Sequence, residues 1–324
     1  MDEQAPSAGA PVVGAAVDVG SNSVHLLVAR LTGAGLEPLR DESVLLGLGD
    51  IVDREGHIPP AAQAELVAAL GRYVELAQLH GAAHVSLVAT EPLRRAENGR
   101  AVVTYVGRHV GLALHVLSER AEGELTYLGV TGGAASAQPL LVVDIGGGSS
   151  EVVLAEPGQR PAVVSLPSGS GRLSMGIVEH DPPTADELDL LLAAAHRLVA
   201  RLAETRPARA IFVGGTATNL AHIAPLRRDG LALAYRALGT LPAEQVSQRF
   251  GVNLRRARQL PAGAAIVDAL LAHYRLDEAS VSGASLRDGA ILARDRLGED
   301  WPARLSDFVT RPQRAGWPAV ADQV

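Results

Sequence analysis

The sequence predicts an α/β protein made of two similar halves that close around a cleft. Apolar runs with the length of buried strands alternate with longer stretches whose apolar residues recur at helical spacing, along almost the whole chain. That alternation is typical of α/β domains. In addition, one short phrase occurs twice, as VDVGSNS at residues 17–23 and as VDIGGGS at residues 143–149. We therefore expect a duplicated fold in which each half contributes one copy of the phrase.

Each copy of the phrase lies between two apolar runs, so each is predicted to be a strand, a glycine-rich turn and a second strand. The runs are residues 12–16 and 24–28 for the first copy and residues 140–142 and 152–154 for the second. Glycine lets backbone N–H groups approach a ligand closely, and successive N–H groups form a cradle for anions. An Asp ends the first strand of each copy, and a carboxylate can face a bound phosphate only when a cation lies between them. The two copies of the phrase, each with its Asp, therefore predict one phosphate–metal site between the halves.

The composition excludes several classes of protein. All 29 basic residues of the 324-residue chain are Arg, and a GxxxxGK[ST] loop is absent, so P-loop and lysine-based chemistry are excluded. The chain has no Cys, which excludes disulfides, thiol nucleophiles and thiolate metal sites. Its net charge of −7 argues against nucleic acid as a partner. No apolar run has the length of a membrane span, and residues 1–11 lack the features of a signal peptide, so we predict a cytoplasmic protein without a membrane partner.

The first half, residues 12–131, continues after its hairpin with a predicted polar loop that contains Gly47, Gly49, Asp50 and Gly56. The helices and strands predicted beyond that loop are a helix at 58–80, a strand at 85–89, a helix at 98–110, a strand at 112–117 and a helix at 119–130. Residues 131–139 are rich in Gly, Ala and Ser, which indicates a linker at the boundary between the halves.

The second half, residues 132–300, repeats this order. Thr184 and Glu187 have the spacing of a capping box and predict the start of a helix that runs to residue 205. The other predicted elements are strands at 162–166 and 210–213 and helices that begin at 242, span 263–273 and span 288–297. We expect irregular tails at residues 1–11 and 301–324.

The second hairpin is the better candidate for binding a terminal phosphate together with its metal. Backbone N–H groups and a hydroxyl are offered to phosphate by Gly146, Gly147, Gly148 and Ser149. Asp144 and Glu151 bracket this turn, and two carboxylates with waters and phosphate oxygens suit Mg²⁺ or Mn²⁺. The opposing cradle is predicted to consist of Ser21, Asn22 and Ser23, with Asp18 as a third candidate for the metal or for a metal-bound water.

Several phrases together carry a resemblance to a known family. They are residues 16–27, 89–98, 144–151 and 166–173, with weaker matches at 214–217 and 285–289. The chain resembles the exopolyphosphatase/guanosine pentaphosphate phosphohydrolase (Ppx/GppA) phosphatase family, within the actin–sugar kinase–Hsp70 superfamily. That resemblance implies a two-domain, actin-like (ribonuclease H-like duplicated) α/β fold with an interdomain cleft, and it suggests a homodimer.

The resemblance also implies two functional residues. Arg94 is similar to the family arginine that contacts the phosphate chain. Family members carry Ser-Gly-x-Glu-Glu-Ala-Arg-Leu where this chain has residues 118–125, SERAEGEL, which places Glu122 at the catalytic base. The chain departs from that pattern at Glu119, Ala121 and Glu124.

The predicted activity is Mg²⁺-dependent hydrolysis of the terminal phosphoanhydride bonds of inorganic polyphosphate, with release of orthophosphate. One alternative is guanosine pentaphosphate 5′-phosphohydrolase activity, because the same terminal phosphate would be cleaved. A second alternative is a non-catalytic, alarmone-binding regulator that only binds guanosine polyphosphates in the cleft. A third is an actin-superfamily kinase with an adenosine site near Gly214, Gly215 and Thr216.

Overall fold

The computed structural model describes residues 12–33, 35–134 and 136–310 and contains two five-stranded sheets. The first sheet has the order β3-β2-β1-β4-β5. Its strands are β1 (Val13–Val19), β2 (Ser23–Thr32), β3 (Gly35–Leu45), β4 (His84–Ala89) and β5 (Leu114–Val116). Strands β1, β2 and β3 are antiparallel neighbours, whereas β4 and β5 join in parallel.

The second sheet repeats this topology, which confirms the predicted duplication. Its order is β10-β9-β6-β7-β8. When this order is read from β8, the strands correspond one by one to β3-β2-β1-β4-β5 of the first sheet. Its strands are β6 (Leu140–Ile145), β7 (Ser150–Ala155), β8 (Ala162–Leu166), β9 (Arg209–Val213) and β10 (Ser280–Val281). The repeated phrase therefore forms the turn between the first two strands of each sheet.

Helices cover the faces of both sheets. In the first half they are α1 (Leu48–Glu55), α2 (Pro60–Leu79), α3 (Glu91–Arg95), α4 (Gly99–Val110) and α5 (Glu119–Thr131). In the second half they are α6 (Ser170–Ser174), α7 (Ala185–Val199), α8 (Gly214–Ala221), α9 (Arg228–Leu238), α10 (Ala243–Phe250), α11 (Leu254–Tyr274), α12 (Leu286–Leu297) and α13 (Trp301–Thr310). In the described residues, no helix is long and apolar enough to cross a bilayer.

Most predicted elements are present, and the capping box of Thr184 and Glu187 begins α7 as expected. Two predicted helix bounds are wrong: α7 ends at Val199 and not at residue 205, and α11 begins at Leu254 and not at residue 263. The predicted polar loop at 47–56 is wrong, because Gly47 takes a left-handed conformation and α1 begins directly after it. The prediction of an irregular segment from residue 301 is also wrong for residues 301–310, which form α13. Trp301 at its start is only 1% exposed, so burial of this side chain fixes the helix. The predicted tails at 1–11 and 311–324 lie outside the described residues.

Helices α5 and α12 connect the two halves. Helix α12 belongs to the second half of the sequence, yet Ala290 and Ile291 pack with Ala16 and Val88 of the first sheet. Helix α5 belongs to the first half, yet its side chains Tyr127 and Val130 pack in one cluster with strands of the second sheet. Each sheet is built from strands that are consecutive in sequence, whereas each of these helices packs on the sheet of the other half.

Candidate active site

The two glycine-rich turns have the same backbone geometry. The Gly20 N–H donates to the Ser23 carbonyl at 3.0 Å, and the Gly146 N–H donates to the Ser149 carbonyl at 3.0 Å. The turns also approach each other closely, because a Cβ atom placed on Gly147 would lie 2.6 Å from Asn22 Nδ2. The duplicated phrase therefore forms two similar turns that face each other.

A cleft of about 150 Å³ lies between these turns. Of the predicted site residues it is lined by Asp18, Ser21, Asn22, Ser23, Glu122, Asp144, Gly146, Gly147, Gly148, Ser149 and Glu151. Arg94 does not line this cleft; it lies against a separate cavity behind it. The structure thus brings the predicted site residues together along the cleft, with Arg94 next to it through an ion pair with Glu122.

Three of the lining carboxylates are held in a setting that favours their neutral form. Burial raises the pKa of Asp18 to about 7, an effect that Arg287 opposes and Asp144 increases. Burial also raises the pKa of Asp144 to about 6. Glu151 lies directly opposite Asp144 in the β6–β7 register, and burial together with repulsion from Asp144 raises the pKa of Glu151 to about 8. In all three cases the loss of water around the buried carboxylate is the largest cause of the raised pKa.

The donor set suits a divalent cation that keeps part of its water shell. Oδ1 of Asp18 is buried and has no hydrogen-bond partner, so this oxygen is available to a cation or to its bound water. In the described part of the chain, no group of three or more His, Asp or Glu side chains could hold a metal ion on its own. Mg²⁺ is typically held by one or two carboxylates together with waters and substrate phosphates, which agrees with the arrangement of Asp144 and Glu151.

Several predicted phosphate donors already have protein partners. Ser21 Oγ donates to Glu91 Oε2 at 2.8 Å, and Asn22 Nδ2 donates to Gln259 Oε1 at 3.0 Å. The Ser149 hydroxyl hydrogen bonds with Glu151. Since a hydroxyl has a single hydrogen, these serines offer lone pairs to the cleft, whereas the second amide hydrogen of Asn22 and the backbone N–H groups of the turns remain as donors for phosphate.

Glu122, the predicted base, occupies the first turn of α5 and is only 4% exposed. Its carboxylate forms an ion pair with Arg94, whose guanidinium also donates to the Leu117 carbonyl at 2.8 Å. Arg94 therefore contacts the predicted base and not the glycine-rich turns. The structure assigns Arg94 a contact with Glu122, and its predicted contact with the phosphate chain stays a prediction.

Four ionisable lining residues were not among the site residues predicted from the sequence: His25, Glu91, Arg256 and Arg287. His25 is the strand partner of Asp18, and burial together with the nearby arginines lowers its pKa to about 3, so the ring is neutral. Arg256 approaches Gly215 so closely that a Cβ atom there would lie 1.9 Å from its Nη1. The strand register of the first hairpin would have indicated His25 from the sequence, because Glu151 is its counterpart in the second hairpin.

Glu124, one of the residues that differ from the family pattern near Glu122, has polar partners in the structure. This side chain is 2% exposed and accepts hydrogen bonds from Ser306 Oγ at 2.9 and 2.8 Å. Arg160 Nη2 also lies 3.2 Å from Glu124 Oε1. Glu124 therefore ties α5 to α13 and to the loop after β7, on the side of the helix away from the cleft.

Comparison with known proteins assigns the chain to a family. The model of the Ppx/GppA phosphatase family matches residues 27–295. The chain belongs to this family. Exopolyphosphatase 1 of Mycobacterium leprae is 30% identical over 300 residues, which cover 86% of this chain and 88% of that protein. Exopolyphosphatase 2 of Mycobacterium tuberculosis is 32% identical over 317 residues, which cover 86% of this chain and 97% of that protein.

Solved structures of the Ppx/GppA family have the same fold. The crystal structure of the Aquifex aeolicus family member aligns with a TM-score of 0.78 at 27% identity, covering 90% of this chain and 99% of that chain. An exopolyphosphatase from Cytophaga hutchinsonii aligns with a TM-score of 0.76 at 21% identity and supports the fold alone. The predicted two-domain, actin-like α/β fold is confirmed, and so is the prediction of an enzyme of the phosphoanhydride hydrolase class.

Proposed function

We propose that this Ppx/GppA protein is an exopolyphosphatase that hydrolyses the terminal phosphoanhydride bond of inorganic polyphosphate and releases orthophosphate. One observation carries the proposal: two anion-binding turns face each other across a cleft whose wall includes the buried carboxylate of Glu122. A phosphate held between the turns would have its terminal phosphorus within the reach of a water at that carboxylate. Relatives named exopolyphosphatase at 30–32% identity support polyphosphate as the substrate.

The proposed reaction is an in-line displacement at the terminal phosphorus. Glu122 orients a water molecule and accepts its proton while the water oxygen bonds to phosphorus. The anhydride bond breaks at the same centre, and its electron pair leaves with the shortened chain. Backbone N–H groups of the Gly146–Ser149 turn and the guanidinium of Arg256 stabilise the negative charge on the phosphate oxygens.

A divalent cation, Mg²⁺ or Mn²⁺, is part of the proposal. Asp144 and Glu151 would hold it, with Asp18 holding one of its waters, and the cation would neutralise charge on the phosphate oxygens. The orphaned Oδ1 of Asp18 and the raised pKa values of Asp144 and Glu151 support this assignment. Homodimer formation and a cytoplasmic location remain predictions from the sequence.

Guanosine pentaphosphate is the second candidate substrate. A cavity of about 470 Å³ is lined by Arg255, Arg258 and Gln259, and the side-chain oxygen of Gln259 accepts a hydrogen bond from Asn22 Nδ2. This cavity therefore adjoins the first phosphate turn and has arginines that could contact a nucleotide. A nucleotide bound there would present its phosphates to the same turns.

The test measures phosphate release from polyphosphate and from guanosine pentaphosphate with Mg²⁺, for the wild type, Glu122→Gln and Glu119→Gln. We expect Glu122→Gln to lose at least about 100-fold in rate, because it removes the proton acceptor. Glu119, in the same helical turn but exposed, should tolerate its substitution. Ranking the two substrates by kcat/KM separates the two candidates. Binding of either compound without phosphate release by the wild type would refute hydrolysis and favour a sensor, whereas phosphate transfer to an alcohol would favour a kinase.

A further inference from the structure

Glu91, the first residue of α3, is a buried carboxylate that the proposed reaction does not use. It is 5% exposed and lines the cleft beside the two glycine-rich turns. Burial alone would raise its pKa, but hydrogen bonds from Arg172, Arg95 and Ser21 outweigh burial and lower the pKa of Glu91. In contrast to Asp18, Asp144 and Glu151, Glu91 is therefore stable as an anion inside the protein.

The contacts of Glu91 reach both phosphate turns. Its Oε2 accepts a hydrogen bond from Ser21 Oγ, in the first turn, at 2.8 Å. Its Oε1 accepts from a guanidinium nitrogen of Arg172, and the other terminal nitrogen of Arg172 donates to the Gly148 carbonyl, in the second turn, at 2.6 Å. A continuous chain of hydrogen bonds thus runs from Ser21 through Glu91 and Arg172 to Gly148, and it joins the two halves of the molecule.

Glu91 and Ser21 pack closely against the second turn. A Cβ atom placed on Gly148 would lie 2.6 Å from Glu91 Oε2 and 2.8 Å from Ser21 Oγ. The carboxylate is therefore in contact with the second turn directly as well as through Arg172. Because Ser21 gives its one hydroxyl hydrogen to Glu91, the orientation of that hydroxyl is also fixed.

We propose that Glu91 is a positioning residue that holds the two phosphate turns at their working separation, acting through Ser21 and Arg172. This inference rests on the proposed function, because it concerns the geometry in which a terminal phosphate is held. Misplacement of reacting groups by about 1 Å can cost on the order of 100-fold in rate, so a residue that fixes both turns controls the chemical step.

The test compares Glu91→Gln with Asp53→Asn. Asp53 pairs with Arg95 and lies 3.5 Å from Arg172, so it belongs to the same charged cluster. It has no contact with Ser21 or with the Gly148 turn among its hydrogen bonds. The amide of Glu91→Gln replaces one acceptor oxygen with a donor, and either Ser21 or the arginines must lose their partner. Asp53→Asn perturbs the cluster and leaves the connection between the turns in place.

For Glu91→Gln we expect kcat on long-chain polyphosphate to fall at least about 10-fold, with KM changed less than about 3-fold. KM should change less than kcat because most phosphates of a long chain bind away from the turns, so their binding does not depend on the separation of the turns. Asp53→Asn should stay within about 2-fold of the wild type in both constants. Equal kcat for Glu91→Gln and wild type, or equal losses in the two variants, would overturn the inference.

A double-mutant cycle adds a readout that general destabilisation would not change. Ser21→Ala and Glu91→Gln interrupt the same connection, so their effects on kcat should be less than additive. Additive effects would mean that the two residues act separately, which contradicts the inference.

Failure of the proposed function can be distinguished from failure of this inference by a binding measurement. If the wild type hydrolyses neither substrate, the proposed function is wrong, and calorimetry with tripolyphosphate then tests Glu91 alone. A dissociation constant at least about 10-fold higher in Glu91→Gln than in the wild type or Asp53→Asn would support the positioning role. Equal affinities, or no binding by the wild type, would overturn it.

Discussion

Asp18, Asp144 and Glu151 are the residues whose protonation depends most on what else occupies the cleft. Burial raises the pKa of each, to about 7, 6 and 8 respectively. In the unfolded chain such carboxyl groups titrate near pH 4. Between roughly pH 4 and 8 the folded protein therefore binds more protons than the unfolded chain. It follows that these groups lose their stabilising contribution as the pH rises through their folded pKa values.

We predict that the metal-free protein becomes less stable between pH 5.5 and 8.0, with the free energy of unfolding lower by on the order of a few kcal/mol. Urea unfolding in the presence of a chelator measures this difference. Glu151→Gln should reduce the dependence on pH, because it removes the group with the highest pKa, near 8. Mg²⁺ should restore stability more at pH 8.0 than at pH 5.5, since it binds the ionised carboxylates.

A control for this prediction is Asp277→Asn, since the Asp277 side chain is 97% exposed. Its dependence on pH should match that of the wild type. A metal-free wild type whose stability rises steadily from pH 5.5 to 8.0 would contradict the prediction.

The duplicated motif explains why some of the site residues were predictable and others were not. Asp144 and Glu151 lie opposite each other on the two strands of one hairpin, on either side of its turn. A short stretch of sequence therefore places both carboxylates. Glu91 and Arg287 reach the cleft from other elements, and no local spacing connects them with the turns. The ion pair of Arg94 with Glu122 could not be predicted from the sequence either, because these residues lie on separate helices.

At the scale of secondary structure, the junction between β9 and α8 fixes the position of Asp144. Gly214 begins α8 with a φ of +81°, and a Cβ atom there would lie 2.4 Å from Asp144 Oδ1. A side chain at this position would therefore be strained and would also push the carboxylate aside. Glycine is required at Gly214 both for the turn of the backbone and for the site.

We predict that Gly214→Ala lowers the rate of phosphate release by at least about 100-fold, because it displaces Asp144. Gly158→Ala is a matched control, since Gly158 has a φ of +71° with no atom within 4 Å of the added Cβ. Both substitutions should cost about 1–2 kcal/mol of stability through backbone strain. Only Gly214→Ala should lose activity; equal activities of the two variants, measured on folded protein, would contradict the role of this contact.

Three of the elements that were not predicted from the sequence illustrate one physical cause of such failures. β3 (Gly35–Leu45) is an edge strand whose side chains are largely exposed, so it lacks the apolar run by which a buried strand is recognised. Helix α1 has only eight residues, and helix α13 depends on the burial of Trp301 and Leu305. In all three cases contacts with distant parts of the chain determine the structure more than local periodicity does.

At the scale of the whole molecule, α5 and α12 cross at a distance that only glycine permits. A Cβ atom on Gly289 would lie 1.9 Å from the Leu125 carbonyl oxygen, and one on Gly129 would lie 2.2 Å from the Ser285 carbonyl oxygen. Each helix also packs against the sheet of the opposite half. The crossing thus connects both cores. The repeated phrase in the sequence does not indicate which helices pack on the sheet of the opposite half.

We predict that Gly289→Ala destabilises the whole protein by about 2–3 kcal/mol, because its methyl group forces two backbones apart. Gly71→Ala is the matched control: Gly71 lies inside α2 with no atom within 4 Å of an added Cβ. There the change should stabilise the protein by about 0.5–1 kcal/mol, since alanine favours a helix more than glycine does. Urea unfolding followed by circular dichroism measures both variants. Since the crossing joins the two cores, Gly289→Ala should shift the entire transition to lower urea concentration, and a variant as stable as Gly71→Ala would refute a close crossing of α5 and α12.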